Sequence, residues 1–475
     1  MALGRIGSTQ AVPALMSLLG HAEPELVMVT TTALAHIGDG RAFEGLLQLL
    51  AHPDSAVRLG AIAALNSLGH PAMPPRIYDL LADPNPLVRE SAVRIAGYFA
   101  FENCKDRLLA CTQDSEDRVC RAAIEHLPYL EDDRVLPLLV QTLAHPSASL
   151  RSAVAHAMGE LENIETLPYL LQGLDDPESW VRYQAARSIG RYADTLIDIL
   201  ESGSSSSLPE PLAELNVAEW AESAFVALKQ LANYDPADPV RAIAAESLGA
   251  IAGVRATPIL SRLAELEDEG GDVARAALRA LGRINRAQAI PPLLTALNSP
   301  NSERRLDALH AFRERGGTEA GVALQWMAAA DPEERLVYEA IESLSRLATP
   351  EAISALLELT VDPSTREACL NALVRRNCPE TLEAEYIELV AQGLKHIHPG
   401  VRCSVVEVLK RFKHPIASEF LIQALSDADQ NVRLAAVTAL VYLGNHSGDE
   451  QLAKLARTDP SPAIRRAAHR GLHSS

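Results

Sequence analysis

His52-Pro53-Asp54-Ser55-Ala56-Val57-Arg58 and Asp83-Pro84-Asn85-Pro86-Leu87-Val88-Arg89 are two copies of one cassette. Each is an Asp or His followed by Pro, a short polar turn, an aliphatic anchor, an arginine and a run of small apolar residues. Asp427-Ala428-Asp429-Gln430-Asn431-Val432-Arg433 is a third copy, far along the chain. The anchor falls at Leu26, Val57, Val88, Val119, Leu150, Val181, Val240, Val273, Arg304, Leu336, Thr365, Val401, Val432 and Ile464, most often in steps of 31 residues. A fixed period of that size marks a solenoid, whose units pack only on their neighbours and whose product is first of all a surface.

Beyond the anchor, apolar or small residues return four, eight and eleven positions on, as in Val57, Ala61, Leu65 and Leu68, or Val88, Ala92, Ala96 and Phe99. That spacing draws one stripe along a helix. Before each turn a shorter helix opens with proline near its start, where the missing N–H costs nothing: Leu167-Pro168, Thr257-Pro258 and Ile290-Pro291-Pro292. Neither helix can bury its stripe alone, so the next unit must supply the wall.

The 475 residues are 48% hydrophobic but only 4% aromatic, a composition suited to closely stacked helices. Sixty-two acidic against 43 basic residues give a net charge of −19, which repels nucleic acid at long range. Cys104, Cys111, Cys120, Cys369, Cys378 and Cys403 form no CxxC pair and read as reduced core thiols. No apolar run approaches the roughly 20 residues of a membrane span, and the N-terminus lacks signal-peptide order. The expected location is therefore the cytoplasm, with no membrane and no nucleic acid as partner. Phosphate-binding GxxxxGK[ST], GxGxxG and nucleophile-elbow GxSxG motifs are absent, as is HExxH, so no catalytic residue, cofactor or metal is expected. His21, His52 and His145 stand where Asp stands in other turns, while His396, His398 and His414 form a weak local cluster.

Two-helix units of this length, with Asp-Pro before the second helix and Val-Arg at its start, resemble HEAT repeats of the short type found in phycobilin-lyase-like proteins. The likeness runs from Leu3 to His473. It implies an all-α, right-handed α-solenoid of about 14 two-helix repeats. It further implies a non-catalytic scaffold that docks a partner protein along its concave face. The arginine slot is filled at Arg58, Arg89, Arg151, Arg182, Arg241, Arg305, Arg366, Arg402, Arg433 and Arg465. By the same resemblance these arginines pair with the preceding turn's acid or carbonyls and tie adjacent units together. Val27, Cys120, Ala274 and Val337 break the column, which speaks against an anion-binding ladder. Two alternatives come from related repeats. One is attachment or detachment of bilins, for which no short motif can be carried over. The other is a DNA glycosylase built on Trp180, Tyr183, Arg187 and Arg191, against which stand the net charge and the lack of a catalytic acid in an aromatic pocket. Deoxyhypusine hydroxylases hold iron with paired His-Glu motifs, which this chain lacks.

The period is interrupted once, between Val181 and Val240, by a Ser/Pro-rich stretch. This divides the chain into arrays at 1–200 and 217–475 joined by a flexible loop at 201–216. Met1–Gly7 aligns with the end of a second helix, so the first edge is expected to meet further repeats or a partner. The positions six and ten beyond the anchor leave the buried stripe and form the candidate docking surface. They place Arg94, Tyr98, Tyr129, Arg187, Arg191, Arg279, Arg283, Arg346, Arg375, Arg411 and Tyr442 on one face that leans basic from Arg187 onward. Arg and Tyr dominate interface hot spots, so the expected ligand is a protein.

Overall fold

The computed structural model describes residues 7–202, 216–266, 271–347, 349–374, 380–412, 414–444 and 448–473. Among them every regular element is an α-helix or a 3₁₀-helix, and the fold is an all-α helical solenoid. Two compact units divide the chain, Met1–Arg255 and Ala256–Ser475. Residues 1–6 and 203–215, which carry the expected open edge and most of the expected loop, lie outside the described residues.

In each unit long second helices stack on one another, and shorter first helices cover them. Ser55–Leu68, Pro86–Phe99, Asp117–His126, Ala148–Glu160 and Ser179–Gly190 are consecutive second helices of the first unit. Ser302–Arg315, Glu334–Leu347 and Gln430–Leu443 are examples in the second. An Asp or Asn of the turn caps several of these helices: the carboxylate of Asp54 accepts from the N–H groups of Ala56 and Val57, Asp429 does the same for Asn431 and Val432, and Asn85 and Asn301 cap Pro86–Phe99 and Ser302–Arg315. His21, His52, His145, His396, His398 and His414 use Nδ1 to accept a backbone N–H two residues on, as Asp83 does through Oδ1. They are turn residues, and among the described residues no group of three His, Cys, Asp or Glu side chains could hold a metal.

The buried stripe sits four, five, seven and eight positions beyond the anchor, as Ala61, Ile62, Ala64 and Leu65 show. The position eleven beyond is core at Leu130, Tyr192, Ile251 and Ile284, as the spacing predicts, and only half-buried at Leu68 and Phe99. At two anchors the expectation fails. Leu26 is half-buried and Val27, in the arginine slot, takes the core position instead. Arg304 turns outward and donates Nη2 to the carbonyl of Leu266 at 2.6 Å. The cysteines behave as core thiols: burial pushes Cys104 and Cys111 up to about 11 and Cys369 up to about 12, too high for a nucleophilic thiolate at neutral pH. Cys378 lies outside the described residues.

The arginine column ties units together: the carbonyls it holds are those of the preceding turn, as expected, while in six rungs the acid it reaches is the following turn's. Nη1 of Arg89 donates to the carbonyls of Asp83 and Pro84 in its own preceding turn, at 2.7 and 3.2 Å. Nε and Nη2 reach forward to Asp114, in the following unit's turn, at 2.7 and 2.8 Å. Arg151 with Asp176, Arg182 with Asp235, Arg305 with Asp331, Arg402 with Asp427 and Arg433 with Asp459 repeat that two-pronged grip. The acid is thus the next turn's, because the stacked second helices bring the next Asp-Pro turn over the guanidinium. Arg366 departs from the column: it is exposed, and the hydroxyl of Thr365 holds the carbonyl of Leu359 in its place.

The rung from Arg182 to Asp235 crosses the long interruption. Ser179–Gly190 packs directly on Asp238–Ala252, while Ala193–Ser202 and Val217–Tyr234 both lie against Asp238–Ala252. Ala193–Ser202 and Val217–Tyr234 therefore thicken the first-helix layer, and the second-helix layer of this unit is unbroken. Asp238–Ala264 is apolar and long enough to pass for a membrane span, which the reading of the sequence did not anticipate. It is two helices, Asp238–Ala252 and Thr257–Ala264, parted by Gly253 at φ 47°, and most of it is buried.

The ladder makes a pH prediction. Hydrogen bonds from Arg89 and Arg151 hold the carboxyls of Asp114 and Asp176 below the usual carboxylate range. A folded pKa below the unfolded one stabilises the fold above an unfolded pKa of about 4, and the gain is lost as pH falls through the folded values. The melting temperature is expected to stay level from neutrality down to about pH 5 and to fall steeply below about pH 4. An Asp114→Asn, Asp176→Asn double variant should show a shallower fall; an equally steep one would place the acid sensitivity elsewhere.

Candidate functional site

The six and ten positions do face outward, on second helices or on the turns that end them, and each unit presents its own stretch of that face. In the first unit Tyr98 and Tyr129 are exposed, Tyr129 from the 3₁₀ turn Leu127–Tyr129. Arg94 lies 3.5 Å from both Glu90 and Glu125. Arg191 grips Glu160 with Nη1 and Nη2 at 2.9 and 3.0 Å and donates Nε to the carbonyl of Gly159. Arg187 is exposed.

In the second unit Arg283 lies 3.4 Å from Glu314 and Arg346 lies 3.4 Å from Glu342. Arg411 donates to Oδ1 of Asn371 at 2.9 Å and lies 3.7 Å from Glu367. Arg279 is exposed, and Tyr442 is exposed with the ammonium of Lys410 4.9 Å from its ring centroid. Arg375 lies outside the described residues. The second helices of this unit carry fifteen basic against nine acidic residues, so the basic lean holds in number. Arg94, Arg191, Arg283, Arg346 and Arg411 nevertheless lie beside acids, and the first three reach an acid 31 residues away in the neighbouring repeat. Such exposed pairs are worth about 0–1 kcal/mol in stability, and they leave the aromatic side chains as the uncommitted binding groups.

Those aromatics include one that the column analysis passed over. A cleft of about 520 Å³ opens in the second-helix layer of the first unit, across Asp117–His126, Ala148–Glu160 and Ser179–Gly190. Its depth comes from the middle helix, which offers Ala148, Ser149, Ser152 and Ala153 with His156 at one end, while the flanking elements raise Arg121 and Glu125 on one side and Glu178, Trp180 and Gln184 on the other. Arg121 lies 3.7 Å from Glu125, and the side-chain amide of Gln184 is 3.0 Å from Nδ1 of His156. Trp180 is exposed and meets Tyr183 edge-on, ring centroids 5.1 Å apart. The signal was present in the sequence: a tryptophan directly before the Val181 anchor, in a chain only 4% aromatic. Chemically the cleft offers an aromatic wall, a floor of small side chains, the polar groups of His156 and Gln184, and the charges of the Arg121–Glu125 pair and Glu178 at its edges. It suits a side chain of a docked segment better than a reaction.

The same geometry recurs in known proteins. Residues 1–66, 27–95, 43–127, 73–148, 105–190, 136–210, 225–313, 261–332 and 387–473 match the HEAT-repeat family model. Residues 336–362 match the PBS lyase HEAT-like repeat. No curated protein matches the chain in sequence. Among solved structures, importin beta in an ammonium sulfate condition superimposes with a TM-score of 0.55 at 13% identity, over 99% of this chain and 74% of that one. A Kap121p mutant does so with a TM-score of 0.50 at 12% identity, over 97% of this chain and 62% of that one. At such identities the likeness is one of fold. Stacked two-helix units, the capped Asp-Pro turn and family matches along most of the length agree, and the chain belongs to the HEAT-repeat family.

Proposed function

We propose that the chain is a non-catalytic protein-interaction scaffold that docks a partner along its second-helix face. The observation that carries this reading is the Trp180 cleft, where an exposed tryptophan stands over a floor of small residues. Exposed aromatics beside a depression are the usual anchors of a protein interface, and here they add nothing to the core. The arginines of the face that are already paired with acids, such as Arg191 and Arg283, set register and exclude wrong partners more than they supply affinity.

Ser152→Trp is the direct test, because it fills the cleft without changing any charge. The expected outcome is loss of the partner captured by the immobilised wild-type chain, with Trp180→Ala weakening the same capture by about tenfold or more. Helicity and melting temperature should be unchanged, since Trp180 is exposed and the half-buried Ser152 opens onto the empty volume of the cleft. Full capture by Ser152→Trp would remove the cleft from the interface.

A further inference from the structure

A second surface lies on the first-helix layer of the second unit. There a groove of about 610 Å³ runs between Ile290–Leu297 and Gly317–Ala330, walled by Ile290, Leu294, Leu297, Val322, Ala323 and Trp326. Leu294 is 42% exposed, Val322 62% and Trp326 47%. The core does not need these three. Gly317–Ala330 holds its neighbours through Ala320, Ala323, Leu324, Met327 and Ala328, all buried. Val322 and Trp326 stand one turn apart on the same helix, facing away from that stripe. The helix is also longer than its counterpart, 14 residues against eight, and starts from Gly316 and Gly317 at φ 66° and 79°, where Ile290–Leu297 starts from the 3₁₀ turn Ala287–Ala289. An apolar patch of this kind on an otherwise polar layer marks a binding surface.

Charge identifies the occupant. The first helices of this unit carry ten acidic residues and three basic ones, the reverse of the second helices stacked beneath them. Glu319 lines the groove, Glu358 accepts from Gln325 at 2.7 Å beside it, and Ile290–Leu297 carries no charge. A second copy of the chain is disfavoured, because two bodies of net charge −19 repel. We propose that the groove takes an amphipathic helix of a partner protein, with apolar residues at i, i+3/i+4 and i+7 and with basic flanks. Those anchors span about 10 Å along one face of a helix, the length over which an amphipathic helix lies in an apolar groove.

The probe is a synthetic peptide of about five helical turns, Leu at the anchor positions and Lys elsewhere, titrated into the full chain. A Glu-for-Lys twin and a scrambled Lys peptide accompany it. Saturable binding of the Lys peptide is expected, weakened by about tenfold or more in the Glu twin, in the scrambled peptide and in Val322→Asp. Glu319→Lys should weaken the Lys peptide and strengthen the Glu twin, a reversal that simple loss of folding cannot produce. No saturable binding, equal binding of the scrambled peptide, or wild-type affinity in Val322→Asp would overturn the proposal. Ser152→Trp, in the other unit, should leave the titration unchanged, so this proposal and the second-helix docking reading fail separately.

Discussion

Asp331→Ala is expected to destabilise the second unit by about 3–5 kcal/mol, the largest effect of any single substitution in the arginine column. The side chain of Asp331 is only 1% exposed and that of Arg305 8%, the most enclosed of the forward-reaching pairs. Nε and Nη2 of Arg305 donate to Asp331 at 2.8 and 3.1 Å, while Nη1 is committed to the carbonyls of Ser299 and Pro300. Oδ1 of Asp331 also accepts the N–H of Glu333 at 2.9 Å, so the carboxylate shapes its own turn as well. Removing it strands a guanidinium away from water and frees the turn together. Because long repeat arrays do not always unfold as one, the loss should be read by hydrogen exchange as well as by denaturant. Faster exchange should centre on Ser302–Arg315 and Glu334–Leu347. A loss below about 1 kcal/mol, typical of exposed pairs such as Arg346 with Glu342, would show that the pair is a surface contact. Joint replacement of Arg305 and Asp331 by Met and Leu should recover most of the stability, since the main cost is the unpaired buried charge.

Gly282→Ala should cost about 1–3 kcal/mol although it adds one methyl group to a helix. A Cβ at Gly282 would stand 2.6 Å from the carbonyl oxygen of Ala311 and 2.9 Å from its Cα. These are backbone atoms of the neighbouring second helix, so Asp272–Arg283 and Ser302–Arg315 would have to move apart. Gly321→Ala is the control: a Cβ there meets nothing within 4 Å, and replacing a helix-interior glycine should stabilise by about 0.5–1 kcal/mol. Opposite signs in thermal unfolding would confirm that helix spacing, not helix propensity, governs Gly282. Equal signs would refute that account.

Legibility differed by element. The stripe at Val57, Ala61 and Leu65 could be read because burial in a helix repeats with the helix's own period. His52 and His145 could be read as turn residues because they fill a slot that the repeat assigns to Asp. Leu26 could not be placed, since whether it or Val27 points inward depends on how the first turn rotates against the next unit. The column positions exposed Tyr98, Tyr129 and Tyr442 correctly, yet gave no hint that Arg191 and Arg283 are held by Glu160 and Glu314. Trp180 and Trp326, the walls of the two depressions, fell outside both columns.

By itself the amino-acid order determined the two-helix unit, its 31-residue period, the core stripe and the arginine at the head of each second helix. All of these are local, set by spacing along one helix and one turn. Only the tertiary structure decided that the column arginines reach forward to the next acid, that Arg94, Arg191 and Arg283 meet acids of the neighbouring repeat, and that two clefts open where small residues or a lengthened helix leave space. Each of those depends on the offset between stacked repeats, and packing sets that offset because no residue interacts across it until the neighbouring unit has folded.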